Sequence, residues 1–182
     1  LLIPEDIRNQ RILVIDDHAA NRLVLKELLH SWGCRSEEAA DGKTALQMLY
    51  AASARGEPYS MAILDMQMPG MDGETLGRII KRDEKLTNTI LVMLTSVGQR
   101  GDARRLQEAG FAAYLTKPVK RSLLYDCLLT VNDRSSQDSR GTSSELGEDD
   151  SPVGSIVTRH SLAENQKRKV RILLAEDDVT NQ

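Results

Sequence analysis

Three carboxylates stand at the ends of two apolar runs. Asp16 and Asp17 follow Ile12–Ile15, and Asp65 follows Met61–Leu64. Thr95 follows a third run, Ile90–Leu94, and Lys117 lies just beyond a fourth, Ala112–Leu115. Carboxylates brought to one place repel: two unit charges about 4 Å apart cost roughly 1 kcal/mol in water and about 4 kcal/mol near a protein surface. A hard divalent cation relieves that repulsion, and oxygen ligands with retained waters suit Mg²⁺. A carboxylate, a metal, an ammonium and a hydroxyl together make a site able to receive a phosphoryl group. The metal and Lys117 would neutralise the transferring oxygens, and Thr95 would donate to one of them.

These residues converge only if the apolar runs are neighbouring strands. The pattern predicts strands at Ile12–Ile15, Arg35–Ala39, Met61–Leu64, Ile90–Leu94 and Ala112–Leu115, the second weak and near an edge. Helices are predicted at Asn21–Trp32, Gly42–Ala54, Gly73–Arg82, Gln99–Ala109 and Ser122–Val131. In the first, Val24, Leu25, Leu28, Leu29 and Trp32 form the inward stripe, and Gly33 stops it. In the second, Ala45, Leu46, Leu49 and Ala52 face inward, and Asp72 is a plausible N-cap for the third. Five βα units with continuous apolar strands imply an α/β, doubly wound, five-stranded parallel sheet with helices on both faces. In such sheets the site lies beyond the C-terminal strand ends, where Asp16, Asp17, Asp65, Thr95 and Lys117 all fall.

Composition narrows the function. Lys plus Arg is 24 and Asp plus Glu is 27, giving a net charge of −3, so bulk charge does not recruit nucleic acid. Six aromatic residues (one Trp, four Tyr, one Phe) are too few for a base-stacking platform. Apolar runs of four or five residues cannot span a bilayer, so no membrane contact by this segment is expected. Cys34 and Cys127 make neither a disulfide framework nor a metal knuckle, which suits a reduced, cytoplasmic setting.

Four motifs carry a family resemblance: ILVIDD at Ile12–Asp17, ILDMQMPGMDG at Ile63–Gly73, LVMLTS at Leu91–Ser96 and AYLTKP at Ala113–Pro118. In order and spacing, residues 10–132 resemble the receiver domain of two-component signalling. The resemblance implies a flavodoxin-like strand order 2-1-3-4-5 and makes Asp65 the phosphoacceptor. It implies Mg²⁺ held by Asp16, Asp17, Asp65 and the backbone carbonyl of Gln67. Thr95 becomes the switch hydroxyl, Lys117 the partner of the phosphoryl oxygens, and Tyr114 the aromatic switch. Lys117–Pro118 is expected to be cis. The implied partners are a histidine kinase phosphodonor domain or a histidine phosphotransfer protein, and a receiver–receiver dimer is a further expectation.

The rest of the chain reads as residues 1–9 lead-in, 133–168 flexible linker and 169–182 the start of a second receiver. Residues 133–155 hold seven Ser, three Gly and six acids, too polar to bury a core. Arg171–Gln182 repeats Arg11–Arg22 at five of twelve positions: Arg, Ile, Leu, Asp and Asn. With TRHSL at Thr158–Leu162, this resembles tandem receivers of a hybrid histidine kinase, which places the segment in the cytoplasmic part of a membrane-bound sensor. Exposed strands seek pairing, so Val170–Ala175 is expected to dock on a sheet edge or on another chain.

Blander roles compete with these. Acids after strands are often solvated caps, and Tyr114 could simply pack. His18, His30 and His160 read as solvated rather than as phosphohistidines, and Arg100, Arg104 and Arg105 as a solvated helix face or part of a partner surface. As whole-domain alternatives, a receiver-like binding module is never phosphorylated, and a Mg²⁺-dependent phosphatase uses an aspartyl nucleophile. Such phosphatases usually space their two acids by one residue, whereas Asp16 and Asp17 are adjacent.

Overall fold

The computed structural model describes residues 7–99, 101–138 and 156–163. Five strands alternate with five helices: β1 (Arg11–Ile15), α1 (Ala19–Ser31), β2 (Arg35–Ala39), α2 (Gly42–Ala54), β3 (Met61–Asp65), α3 (Gly73–Arg82), β4 (Ile90–Thr95), α4 (Asp102–Glu108), β5 (Ala113–Thr116) and α5 (Arg121–Asp138). A short β6 (Val157–Thr158) follows. The sheet runs β2-β1-β3-β4-β5-β6, with all five pairings parallel. The expected order is therefore present, extended by one strand.

The continuous apolar strands are explained by two-sided burial. β3 is buried at every residue. Leu13, Ile15, Ala62, Leu64, Leu91 and Met93 pack beneath α2, α3 and α4. Ile12, Val14, Met61, Ile63, Val92 and Leu94 face α1 and α5. Period-two alternation thus serves two cores rather than a core and solvent. β2 is mostly exposed, as an edge strand of sequence RSEEA must be. Asp72 caps α3 by accepting from the Thr75 N–H at 2.7 Å.

Four differences from the sequence expectations matter. α1 begins at Ala19 rather than Asn21, because extended His18 serves as N-cap and two alanines continue the helix readily. Val24 belongs to the predicted stripe, yet it is 59% exposed while Leu25 and Leu29 are buried. α4 begins only at Asp102, because Gly101 takes a left-handed φ of +92° that ends helical geometry before it. α5 continues seven residues past Val131, to Asp138, where the apolar stripe gives out but polar residues still tolerate the helix.

The linker assigned to 133–168 is also interrupted by ordered structure. Ile156, Val157 and Leu162 are buried, and Val157 pairs with Ala113 on β5. Residues 159–163 are helical. The Thr158 N–H donates to Ser161 Oγ at 2.9 Å, a local cap that the TRHS sequence supplies. A strand of two residues leaves no periodicity to read, so its existence was hidden in the sequence. Residues 1–6, 100, 139–155 and 164–182 lie outside the described residues, and with them Arg100, the second copy of the repeat and the expected docking of Val170–Ala175.

Candidate functional site

The C-terminal ends of β1, β3 and β5 meet in one pocket. Asp16 is 1% exposed and Asp65 6%. Lys117 Nζ donates to Asp16 Oδ2 and to Asp65 Oδ1, each at 2.7 Å. Burial alone would lower the Lys117 pKa. The hydrogen bonds and charges of Asp16 and Asp65 outweigh that, so the net direction is upward and the ammonium is held. The Lys117–Pro118 peptide is cis, as expected.

The start of α1 anchors the acid pair. The His18 N–H donates to Asp16 Oδ1 at 2.8 Å, and Asn21 Nδ2 reaches Asp16 Oδ1 and Oδ2 at 3.1 and 3.0 Å. Arg22 donates to the carbonyls of Asp16 and Asp17 at 2.7 and 3.2 Å. Asp17 is more open and meets His18 Nδ1 at 2.8 Å. Ligand atoms of Asp16, Asp17 and His18 all lie within 4.8 Å of one another. Asp65 joins the group through Lys117. Its Oδ1 takes the ammonium, and Oδ2 takes no donor among the described residues.

Backbone contacts fix Asp65 from behind. The Gly73 N–H donates to Met66 O at 3.0 Å, so α3 starts directly against the strand end. A Cβ on Gly73 would lie 2.2 Å from the Asp65 carbonyl oxygen. No side chain fits there. Gln67 follows β3 by two residues, in the loop beside the acids.

Thr95 ends β4 beside the pocket, 2% exposed. Its hydroxyl donates to the Val97 carbonyl at 3.0 Å, and the Val97 N–H returns to it at 3.3 Å. The Lys117 N–H donates to the Thr95 carbonyl at 2.7 Å, tying the two strand ends together. Tyr114 is buried, and its hydroxyl donates to Asp102 Oδ2 at 3.2 Å. Burial, and then the facing Asp102 carboxylate, push the Tyr114 pKa upward and keep the phenol neutral. Asp102 also accepts from the Gln99 N–H at 2.7 Å and from Arg105 at 2.9 Å.

The structure therefore brings together Asp16, Asp17, Asp65 and Lys117, sets Thr95 at their rim, and places Tyr114 one layer away against α4. Asn21, Arg22, Gly73 and Asp102 were missed as site-building residues. Asn21 did leave a signal, since it is one of the five identities shared by Arg11–Arg22 and Arg171–Gln182. Cys34 and Cys127 are buried well away from any such chemistry, their thiols pushed up by burial to about 11 and about 12.

Beside Lys117 runs an open groove of about 410 Å³, lined by Asn21, Val24, Leu28, Pro118, Val119 and Leu124 among others. It explains the outlying Val24, which forms its rim instead of entering the core. Among the described residues, no helix is long and apolar enough to cross a membrane.

Known proteins resemble this chain in sequence and fold. The family model for the response regulator receiver domain matches residues 12–129. The chemotaxis protein CheY of Pseudomonas aeruginosa is 31% identical over 125 residues, covering 68% of this chain and 97% of that protein. The osmosensing histidine protein kinase SLN1 of Saccharomyces cerevisiae is 33% identical over 126 residues, 67% of this chain. The chain spans only 10% of that kinase. Among solved structures, the Vibrio cholerae chemotaxis protein CheY4 aligns with a TM-score of 0.59 at 26% identity, covering 67% of this chain and 98% of its own. A CheY-like receiver from Methanospirillum hungatei aligns at 0.62 and 25%, covering 71% and 98%. Such a domain belongs to signal transduction through phosphorelay, and is not a turnover enzyme in the usual sense. With the acidic pocket, the fold and these likenesses in agreement, the chain belongs to the response regulator receiver family of two-component signalling.

Proposed function

We propose that Asp65 accepts a phosphoryl group from a phosphohistidine. The supporting observation is the split of its carboxylate: Oδ1 is held by Lys117 at 2.7 Å, while Oδ2 is left over as the nucleophile. In the step, Oδ2 bonds to phosphorus, the phosphorus–nitrogen bond breaks, and the imidazole leaves with the bonding pair and takes up a proton. Lys117 then moves from bridging two carboxylates to meeting the phosphoryl oxygens. Thr95 turns its hydroxyl from Val97 toward the new group, and Tyr114 reports the change.

The donor set fits Mg²⁺. It comprises hard carboxylate oxygens of Asp16, Asp17 and Asp65 and the Gln67 carbonyl, with Asp17 the most accessible of the three carboxylates. When bound, the ion would neutralise charge on the phosphoryl oxygens. Asn21 and Arg22 hold the Asp16–Asp17 pair in place for it.

The groove between α1 and the segment after Lys117 supports the assignment of the donor. An exposed Val24, with Leu28, Pro118 and Val119, offers an apolar strip next to the nucleophile. That suits a helix of a histidine kinase phosphodonor domain or a histidine phosphotransfer protein. We further assign the parent as a hybrid histidine kinase with tandem receivers in the cytoplasm. Support comes from the likeness to receivers within kinases and from the repeat at Arg171–Gln182. In that reading the receiver is residues 10–132, and a second receiver begins near residue 169.

The test is acetyl phosphate with Mg²⁺, followed by mass-spectrometric mapping. One phosphoryl adduct on Asp65, absent from Asp65→Asn, is expected. No adduct would overturn the proposal and favour a receiver-like binding module, and an undiminished adduct in Asp65→Asn would overturn Asp65 as the acceptor.

A further inference from the structure

The β5 strand would be the sheet edge if the chain stopped after α5. Residues 156–163 cover that edge instead. The Val157 N–H donates to the Ala112 carbonyl at 2.8 Å, and the register sets Val157 beside Ala113 and Thr158 beside Tyr114. Alternation sends the strap's side chains to both faces of the sheet. Ile156 packs in the cluster that holds Tyr114, Leu106 and Phe111. Val157 and Leu162 pack in the opposite cluster, with Leu128 and Val131 of α5.

This grip falls on the strand that carries the site. Thr158 is the register partner of Tyr114, whose hydroxyl is bonded to Asp102. Three residues on, Lys117 is bonded to Asp65 through its side chain and to Thr95 through its backbone. Asp102 in turn holds the Gln99 N–H, in the loop that follows Thr95. Strap, Tyr114, α4 and pocket are thus joined by direct contacts. The strap itself is slight: two strand residues and three buried aliphatics against the ordering of eight described residues. Segments of that kind open at low free-energy cost.

We infer that residues 156–163 form a displaceable edge strand that reads the pocket, docked on β5 while Tyr114 is bonded to Asp102 and released when Asp65 is loaded. The loading half rests on the phosphoacceptor reading above. The coupling between strap and Tyr114 rests on the contacts alone. Linkage makes the effect reciprocal: a strap that favours one arrangement of Tyr114 must weaken loading, and its removal must strengthen loading by the same factor.

The experiment is hydrogen exchange by mass spectrometry on the full 182-residue chain. Without any phosphoryl mimic, Tyr114→Ala should speed exchange in 156–163 by about threefold or more. Val157→Asp, and independently Leu162→Ser, should speed exchange in the peptide around Gln99 and Asp102. With beryllofluoride and Mg²⁺ added to the wild type, exchange in 156–163 should rise about fivefold, and Val157→Asp should lower the half-saturating beryllofluoride by a similar factor. Variants that leave each other's segments unchanged overturn the coupling, whether or not beryllofluoride binds. Protection around Asp65 with unchanged exchange in 156–163 overturns the release. Beryllofluoride that protects nothing around Asp65 overturns the loading half together with the phosphoacceptor reading. Mutual effects of Tyr114→Ala and Val157→Asp would then still support the coupling.

Discussion

Replacing Lys117 with Met removes the one cation that the described residues place between two buried carboxylates. In the wild type, Lys117 keeps 20% of its side-chain exposure, Asp16 1% and Asp65 7%. After the change, Asp16 still has the His18 N–H and Asn21 as donors, but Asp65 Oδ1 loses its only one. Breaking a buried pair by removing one partner costs about 3–5 kcal/mol. The retained donors of Asp16 and the partial exposure of Lys117 argue for the lower end, about 3 kcal/mol. For a domain of this size each kcal/mol moves Tm by about 4 °C, so a drop of about 12 °C is expected. The assay is calorimetric melting at pH 7 in a chelator. The cause is isolated by adding Asp65→Asn to Lys117→Met, which removes the uncompensated charge and should restore about 4–8 °C. A Lys117→Met protein melting within about 2 °C of wild type, or a double variant melting lower still, would refute the reasoning.

Two further outcomes follow from geometry and burial. Gly73→Ala should reduce phosphoryl-mimic binding far more than an alanine at exposed Glu84, because its Cβ meets the Asp65 backbone; isothermal titration with beryllofluoride measures it, and equal affinity in the two variants would refute the steric account. Stability should fall as pH rises above about 9: the Cys34 and Cys127 pKa values are raised in the fold to about 11 and about 12, so their contribution is present below the unfolded value and lost on passing the folded one. Lys117, also raised, adds a loss above its unfolded value. Urea unfolding at pH 7, 9 and 10.5 tests this, and an undiminished free energy at pH 10.5 would contradict it.

Most of the sheet was legible because each central strand is an unbroken apolar run and each ends in a polar residue of distinct chemistry. Two-sided burial imposes the first property, and convergence at the strand ends imposes the second. β6 was not legible, since Val157–Thr158 is too short for any period and sits among polar residues. Val24 misled because its spacing matches the buried stripe, while the neighbouring groove leaves it in solvent. Asp102 escaped notice for a different reason. An acid opening a helix reads as a cap, and only the fold reveals Tyr114 twelve residues later as its partner. The acids, Thr95 and Lys117 were legible because their types make sense only together. What places Asp16 is the Asn21 side chain, which showed only as an identity in the repeat, and the His18 N–H, a backbone donor with no composition of its own.

The Lys117 bridge spans 101 residues to Asp16 and 52 to Asp65. Of its three strands β1 and β3 are neighbours, but β4 lies between β3 and β5, and the ammonium reaches across it. A growing chain that has emerged only through β4 already carries both acids, yet it lacks their counter-charge. The pocket is therefore completed late in the chain. Until residue 117 is in place, the two carboxylates lack the ammonium that bridges them.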